Sequence, residues 1–312
     1  MEKKQSEWAT SMPFKEQLVV IKRLFAYAKP FKMTFIIAIG FALVLATINV
    51  LMPRILQTLI DRYLTTQSAT LQIILFFAML YLLGTILKAV IWFFQWFLYS
   101  NASLQSYQHI RVKLFEKLHT LGMRYFDQTP AGSVVSRVSN DTETLFEFWH
   151  VFLTVLTGIF AVVSSFIAMF QINQKIALLI LAFLPILGFV IWYYQSFSSR
   201  VYRQMREKLS QLNTKLNESI SGMQIIQQFR QERRFMKEFE ETNDEYLATR
   251  YAMIKMNSLL LGPIISLLYT FALAVVLTAF GFNAMQSPVE VGLIFAFTTY
   301  VQTFFNPMTQ MM

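Results

Sequence analysis

The chain has no cysteine, so a disulfide framework, a thiolate zinc site and a cysteine nucleophile are all excluded. Charge is scarce. Of 312 residues, 14% are charged and 55% are apolar, against about 25% charged in soluble domains. Charge is missing altogether from 33–53, 63–87, 89–110, 151–174, 176–199, 256–289 and 291–312. Crossing a hydrocarbon core of about 30 Å takes roughly 20 apolar residues. A length that would suggest two soluble domains therefore belongs to an integral membrane protein. Paired carboxylates are lacking inside these runs, which argues against a proton-coupled carrier. There is no G-x-S-x-G nucleophile setting, and no pair of the ten glycines builds G-x-x-x-x-G-K-[ST]. His109, His119 and His150 lack metal-ligand spacing and read as ordinary polar positions.

What is present is a set of six predicted spans, at about 33–53, 71–100, 149–171, 176–198, 256–282 and 289–310. Residues 1–32 have no short apolar core of the signal-peptide kind, so the first span is expected to serve as its own insertion signal. The net charge of +9 is concentrated: 22 of the 27 Lys and Arg lie in 1–32, 101–148 and 199–250. These segments alternate with short loops at 62–70, 172–175 and 283–288. The positive-inside rule places them, and the N-terminus, in the cytoplasm of a multi-pass plasma-membrane protein. The basic charge then reports topology and not nucleic-acid binding.

Residues 71–121 contain no proline. As one helix they would run about 75 Å at 1.5 Å per residue, more than twice the membrane, so the second span must project into water. The same holds for 186–250. In "RVKLFEKLHTLGM", Val112, Phe115, Leu118 and Leu121 keep one helical face. Helix pairs thus leave the membrane, turn and return. The first turn is expected to hold a short piece, Arg124–Gln128, after Gly122, with Thr129 as N-cap and Pro130 at the first position of the returning helix. The second follows Gly222 with a basic-aromatic piece, Phe229–Arg234. "SMPFKEQLVVIKRLFAYAKPF" begins at Pro13 and sets Leu18, Ile21, Leu24 and Phe25 against Lys15, Lys22 and Arg23. This reads as an interfacial amphipathic helix, broken by Pro30.

"RYFDQTPAGSVVSRVSNDTETL" at 124–145 resembles the F-[DE]-x-x-x-x-G-x-[LIV]-x-S-R-[LV]-x-[NS]-D pattern of multidrug-type ATP-binding cassette (ABC) exporters. Phe126, Asp127, Gly132, Val134, Ser136, Arg137, Val138, Asn140 and Asp141 carry it. "NESISGMQIIQQFRQERRFMKEFE" at 217–240 resembles a second pattern of that family through Glu218, Gly222, Met223, Ile226, Gln227 and Phe229. The resemblance implies an all-α membrane domain of the type IV exporter fold. Residues 1–32 form its cytoplasmic start with an elbow helix, and 33–312 form six long helices with two cytoplasmic hairpins. The tips would be coupling helices that dock on nucleotide-binding domains, through Arg124, Tyr125, Phe126 and Asp127 and through Phe229, Arg230, Glu232 and Arg233. Without the resemblance, a solvated turn touching nothing is an equal reading.

The resemblance further implies a domain-swapped dimer with a second half-transporter, with a heterodimer favoured over a homodimer. ATP and Mg are expected in a nucleotide-binding domain after the sixth span, and no cofactor in this chain, which would not itself be an enzyme. The expected function is ATP-driven export of hydrophobic or amphipathic compounds by alternating access. The alternatives are lipid or peptide export on the same scaffold, or a stand-alone six-span channel or receptor.

Two faces are candidates for the substrate path. Tyr81, Thr85, Lys88, Trp92, Gln95 and Tyr99 recur at steps of three and four and line one helical face. Polar groups facing lipid are costly, so Lys88, Trp92 and Gln95 read either as a pathway wall or as a packing face with Lys88 snorkelling. In the sixth span Phe297, Tyr300 and Phe304 share a face that suits a hydrophobic ligand, or simply packs as core. Arg54, Thr58 and Asp61, near the outer end of the first span, read as structural.

Overall fold

A computed structural model describes residues 14–286 and 289–310. Pro13, taken as the start of the interfacial helix, lies outside them. The described residues are helical throughout apart from short turns, as the scarcity of Gly and Pro inside the apolar runs dictates: a backbone in lipid must satisfy its own hydrogen bonds. The elements are α1 (Phe14–Ala28), a 3-10 turn (Lys29–Phe31), α2 (Lys32–Leu59), α3 (Leu71–His119), α4 (Met123–Gln128), α5 (Ala131–Ile172), α6 (Gln174–Leu181), α7 (Phe183–Ser221), α8 (Met223–Gln228), α9 (Glu232–Met256), α10 (Gly262–Gln286) and α11 (Val291–Gln310). The chain forms two compact units, Met1–Ser164 and Ser165–Met312.

In the first unit α2 and α3 run antiparallel. Phe35 meets Tyr99 at a 5.2 Å ring separation. Further along, a Cβ on Gly84 would come within 2.7 Å of Met52 Sδ, so a larger residue there would make the Met52 side chain shift. The helix α2 continues through Pro53 to Leu59 and ends in a π-turn, Ile60–Leu64, six residues beyond the point where the sequence suggested the span would stop. Proline removes one intrahelical bond but need not end a helix that packing holds. As expected, α3 is one uninterrupted helix of 49 residues, about 74 Å long. None of its most apolar window is buried within the chain, so lipid or another helix must cover it.

The core of this unit is aromatic and sits where α1 meets α3 and α5. Trp149 is 1% exposed, with Phe25 edge-on at 5.4 Å and Phe35 tilted at 4.8 Å. Tyr99 Oη donates to the Trp149 carbonyl at 2.8 Å. Edge-to-face pairs at these separations add to the area they bury. The seat holds the amphipathic α1 against the base of α3, and α1 meanwhile leaves Leu18, Ile21 and Phe25 exposed.

In the second unit α7 and α9 pair as a hairpin. Tyr194 Oη bonds Asn257 Oδ1 at 3.1 Å, Lys208 Nζ bonds Glu245 Oε2 at 2.6 Å, and Lys215 Nζ bonds the Glu238 carbonyl at 2.8 Å. Each step along α7 is matched by a step back along α9. Two irregularities interrupt the predicted spans. The fourth is split at Ala182 into α6 and α7, with Pro185 in the first turn of α7, where its missing N–H costs little. The fifth begins with a π-turn at Asn257–Leu261 ahead of Gly262 and Pro263.

Among the described residues, five helical stretches are long and apolar enough to cross a membrane: Leu18–Leu64, Leu71–His119, Ala131–Ile172, Gln174–Ser221 and Glu232–Met285. The sixth predicted span falls on α11, which is not among them. Thr298, Thr299, Gln302, Thr303 and Asn306 dilute its apolar character. Its other side is core: Phe297, Tyr300 and Phe304 are each 0% exposed, and Phe297 meets Phe280 of α10 edge-on at 5.2 Å.

Candidate coupling surfaces at the hairpin tips

Each hairpin ends in a six-residue helix, α4 in the first unit and α8 in the second. The first is where the sequence suggested. The returning helix starts one residue late, however. Thr129 is extended (φ −121°, ψ 117°), as a residue before proline prefers, and the first carbonyl used by α5 is that of Pro130, which accepts from Ser133 and Val134. Thr129 therefore ends α4 and does not cap α5. On α4, Arg124, Phe126 and Asp127 are exposed and Tyr125 is half-buried. Arg137 Nη1 donates to Tyr125 Oη at 3.3 Å, tying the short helix to the one that returns to the membrane. Deeper in the hairpin, Arg111 donates through Nε and Nη2 to the carbonyls of Val138 and Ser139 and lies over the Tyr107 ring at 4.8 Å. Its charge alone did not mark Arg111 as an interhelical tie. The signal was its position one helical turn from Tyr107 on the face toward α5.

At the second tip the expectation needs correction. The short helix is Met223–Gln228, and Phe229–Arg234 is the turn after it plus the start of α9. Charge and aromatics drew attention to the wrong half. Gly222 ends α7 and immediately begins α8, so the crossing helix is the apolar "MQIIQQ". Ile226 buries itself under the tip, while Met223, Ile225 and Phe229 are exposed at 41%, 62% and 68%. Phe229, Arg230, Glu232 and Arg233 remain exposed beside it.

The turn closing α8 is a Schellman motif. The Arg230 N–H bonds the Gln227 carbonyl at 3.1 Å and the Gln231 N–H bonds the Ile226 carbonyl at 2.9 Å. Arg230 occupies its left-handed position at φ 50°. Glycine is the usual residue there, and a side chain pays about 1–2 kcal/mol for it. An arginine held against that cost at an exposed tip is a candidate for function.

The predicted pathway faces fare differently. Lys88 and Trp92 are exposed, but Gln95 is 3% and Tyr99 1% exposed. One stripe is thus open along its N-terminal half and sealed along its C-terminal half. Gln95 Nε2 and Trp149 Nε1 have no hydrogen-bond partner among the described residues. Phe297, Tyr300 and Phe304 line no open surface in this chain. The Thr58 hydroxyl donates to the Arg54 carbonyl at 2.9 Å, an ordinary helix contact. The histidines meet aromatic neighbours edge-on or tilted: His109 is edge-on to Phe31, His119 to Phe115 and His150 to Phe146, and His150 is tilted against Trp96.

Long helices, an elbow and two hairpins closed by short crossing helices define the chain's class, and comparison with known proteins agrees. The family described as the ABC transporter transmembrane region matches residues 35–308, and the chain belongs to it. A Streptococcus pneumoniae serotype 4 protein named as an ABC transporter ATP-binding protein, exp8, is 33% identical over 297 residues, covering 95% of this chain and 50% of that one. The multidrug resistance-like ATP-binding protein MdlB of Buchnera aphidicola subsp. Acyrthosiphon pisum is 31% identical over 290 residues, covering 93% and 50%. A Bacillus subtilis protein named for multidrug export as an ATP-binding/permease protein, YgaD, is 26% identical over 302 residues, covering 94% and 51%. The chain spans about half the length of these relatives.

Proposed function

We propose that the chain is the translocation domain of an ATP-driven exporter of hydrophobic or amphipathic compounds, and that α4 and α8 are its couplings to nucleotide-binding domains. The observation that carries this reading is the pair of crossing helices, one per hairpin, each with exposed apolar side chains among charges: Met123 and Phe126 beside Arg124 and Asp127, and Ile225 and Phe229 beside Arg230. Aromatic, methionine and arginine side chains are the ones enriched in interfaces. The relatives' names, which join ATP binding to multidrug export, support the same reading.

In this account the N-terminus and both hairpins face the cytoplasm, supported by the 22 of 27 basic residues in those segments. A second half-transporter covers the bare window of α3. ATP and Mg act in the nucleotide-binding domains, where closure on ATP favours one of two states of the membrane domain. The residues of this chain transmit that bias. Tyr125 passes the displacement of α4 to Arg137 and so to α5, and Arg111 locks α5 to α3, so the hairpin moves as a lever. Without a partner that binds the two states differently, no population shift occurs.

The test uses the full polypeptide in proteoliposomes. Replacing Phe126 or Ile225 by Ala should lower dye export at least several-fold while basal ATP hydrolysis and expression persist. Drugs, lipids and peptides compared in parallel for ATPase stimulation separate the cargo classes. Normal export in both variants would remove the coupling role from those side chains.

A further inference from the structure

We propose that the open half of the α3 stripe receives the anionic group of an amphipathic cargo, an apolar body that carries a carboxylate, sulfonate or phosphate. The observation is a cation without a counter-charge. Lys88 is exposed on α3 and makes no ion pair or hydrogen bond among the described residues. Two contacts with α2 fix its depth. Gly84 faces Met52 and Tyr99 meets Phe35, and Lys88 lies between them, about 6 Å from Gly84 at 1.5 Å per residue. Between these levels α2 carries no charge, so Lys88 stands beside the hydrophobic run and not at its edge. The six predicted spans hold one other charged residue, Glu290, which precedes the first turn of α11. A second copy of the chain would add no other carboxylate. Packing a helix over Lys88 would bury an unpaired ammonium, which is expensive. This strip of α3 therefore faces a watery path even where a second half-transporter covers the rest of the helix.

The neighbours of Lys88 decide what kind of anion fits. Trp92 stands one turn further along the same face and is 59% exposed. An indole offers a flat apolar surface and an N–H that only donates. Thr85, one turn back, has its hydroxyl committed to the Tyr81 carbonyl at 2.9 Å. The stripe closes at the buried Gln95, whose Nε2 has no acceptor among the described residues. The unused N–H groups of this face call for an acceptor with negative charge, and the ring beside them calls for an apolar body. An inorganic anion meets the first demand alone. An organic cation meets the second alone, against the repulsion of Lys88. The inference deepens the export reading proposed above and rests on it.

The full polypeptide in proteoliposomes tests it with three fluorescent compounds of one dansyl-octyl body, ending in a carboxylate, a neutral amide or a quaternary ammonium. With ATP, the carboxylate should be exported at a half-saturating concentration about tenfold or more below that of the amide, the worth of a hydrogen bond to a charged group. The ammonium compound should be the poorest cargo. Lys88→Gln should bring carboxylate and amide together, Lys88→Arg should keep them apart, and Lys88→Glu should move the preference to the ammonium compound. Lys88 is exposed, so none of these changes removes a packed side chain. Labelled phosphatidylglycerol and phosphatidylcholine run in parallel: export of the first without the dansyl carboxylate would assign the anion to a lipid, and the reverse to a free compound. Equal handling of all anionic, neutral and cationic probes would overturn the proposal and leave the export reading standing. So would a preference indifferent to Lys88→Gln, which would mean that the ammonium snorkels to the interface. Loss of assembly in Lys88→Gln with no anion preference would overturn it in favour of a partner carboxylate. Export of none of the probes would overturn the export reading together with it.

Discussion

Replacing Arg230 by glycine should stabilise the second hairpin tip. Arg230 sits at φ 50° in the turn that ends α8, with its own N–H and that of Gln231 satisfied by Gln227 and Ile226. An L-residue pays about 1–2 kcal/mol for the left-handed conformation. Glycine escapes that cost but has more freedom to lose on folding, which returns about 0.5–1 kcal/mol. The difference favours glycine by about 0.5–1 kcal/mol, a factor of about two to five in local opening. Arg230→Ala is the control, because it removes the guanidinium and keeps the strain. Hydrogen exchange should show the amides of Ile226 to Gln231 two- to fivefold better protected in the glycine variant than in the alanine variant. If the guanidinium meets a motor domain, export by the full polypeptide should fall in both. Equal protection in the two variants would refute the strain argument, and undiminished export in both would remove Arg230 from the coupling surface.

Three further outcomes follow from the geometry. Trp149→Ala opens a cavity in the elbow seat and should cost about 3–5 kcal/mol, whereas Tyr99→Phe removes one hydrogen bond and should cost about 1 kcal/mol; unfolding in detergent followed by tryptophan fluorescence ranks them, and equal costs would contradict the packing described. Cysteines at 88 and 92 should react with a membrane-impermeant thiol reagent in at least one transport state, those at 86 and 90 should not, and one at the buried 95 should react more slowly than one at 88. The Lys208 ammonium holds the Glu245 carboxyl below the ordinary carboxylate range, by its hydrogen bond and then its charge. A depressed folded value means this bridge is fully present above the unfolded carboxylate value and lost as pH falls through the folded one. A carbon-detected titration should therefore place the Glu245 midpoint below that of exposed glutamates, and Lys208→Met should return it to theirs.

Most of the architecture was legible because lipid leaves few choices. Uncharged runs had to be helices, and a proline-free run of twice the membrane's thickness had to project, which is what α3 does. The first tip was legible because Gly122 and Thr129-Pro130 bracket it. The second was not, because only Gly222 marks the start of α8, and the charged, aromatic stretch after it looked more like a surface than "MQIIQQ" did. The break at Ala182 and the π-turn at Asn257–Leu261 each lie just ahead of a proline, Pro185 and Pro263, which has no N–H for the carbonyl four residues back; that local signal was there to be read and was passed over. The stripe from Tyr81 to Tyr99 was correctly read as one helical face. Periodicity gives a face but not its neighbours, and the aromatic seat around Trp149 covers the C-terminal end of that face alone. For Phe297, Tyr300 and Phe304 the same limit applies: a shared face fits a ligand or a core, and α10 packs against it here.

The coupling claim is tested most directly by what α4 touches. A photo-reactive benzoylphenylalanine at position 126 of the full polypeptide, irradiated in native membranes, should form crosslinks whose peptides map to the nucleotide-binding region, outside residues 1–312. The yield should change when ATP is added. Crosslinks confined to residues 1–312 or to lipid, at a yield indifferent to ATP, would contradict the account.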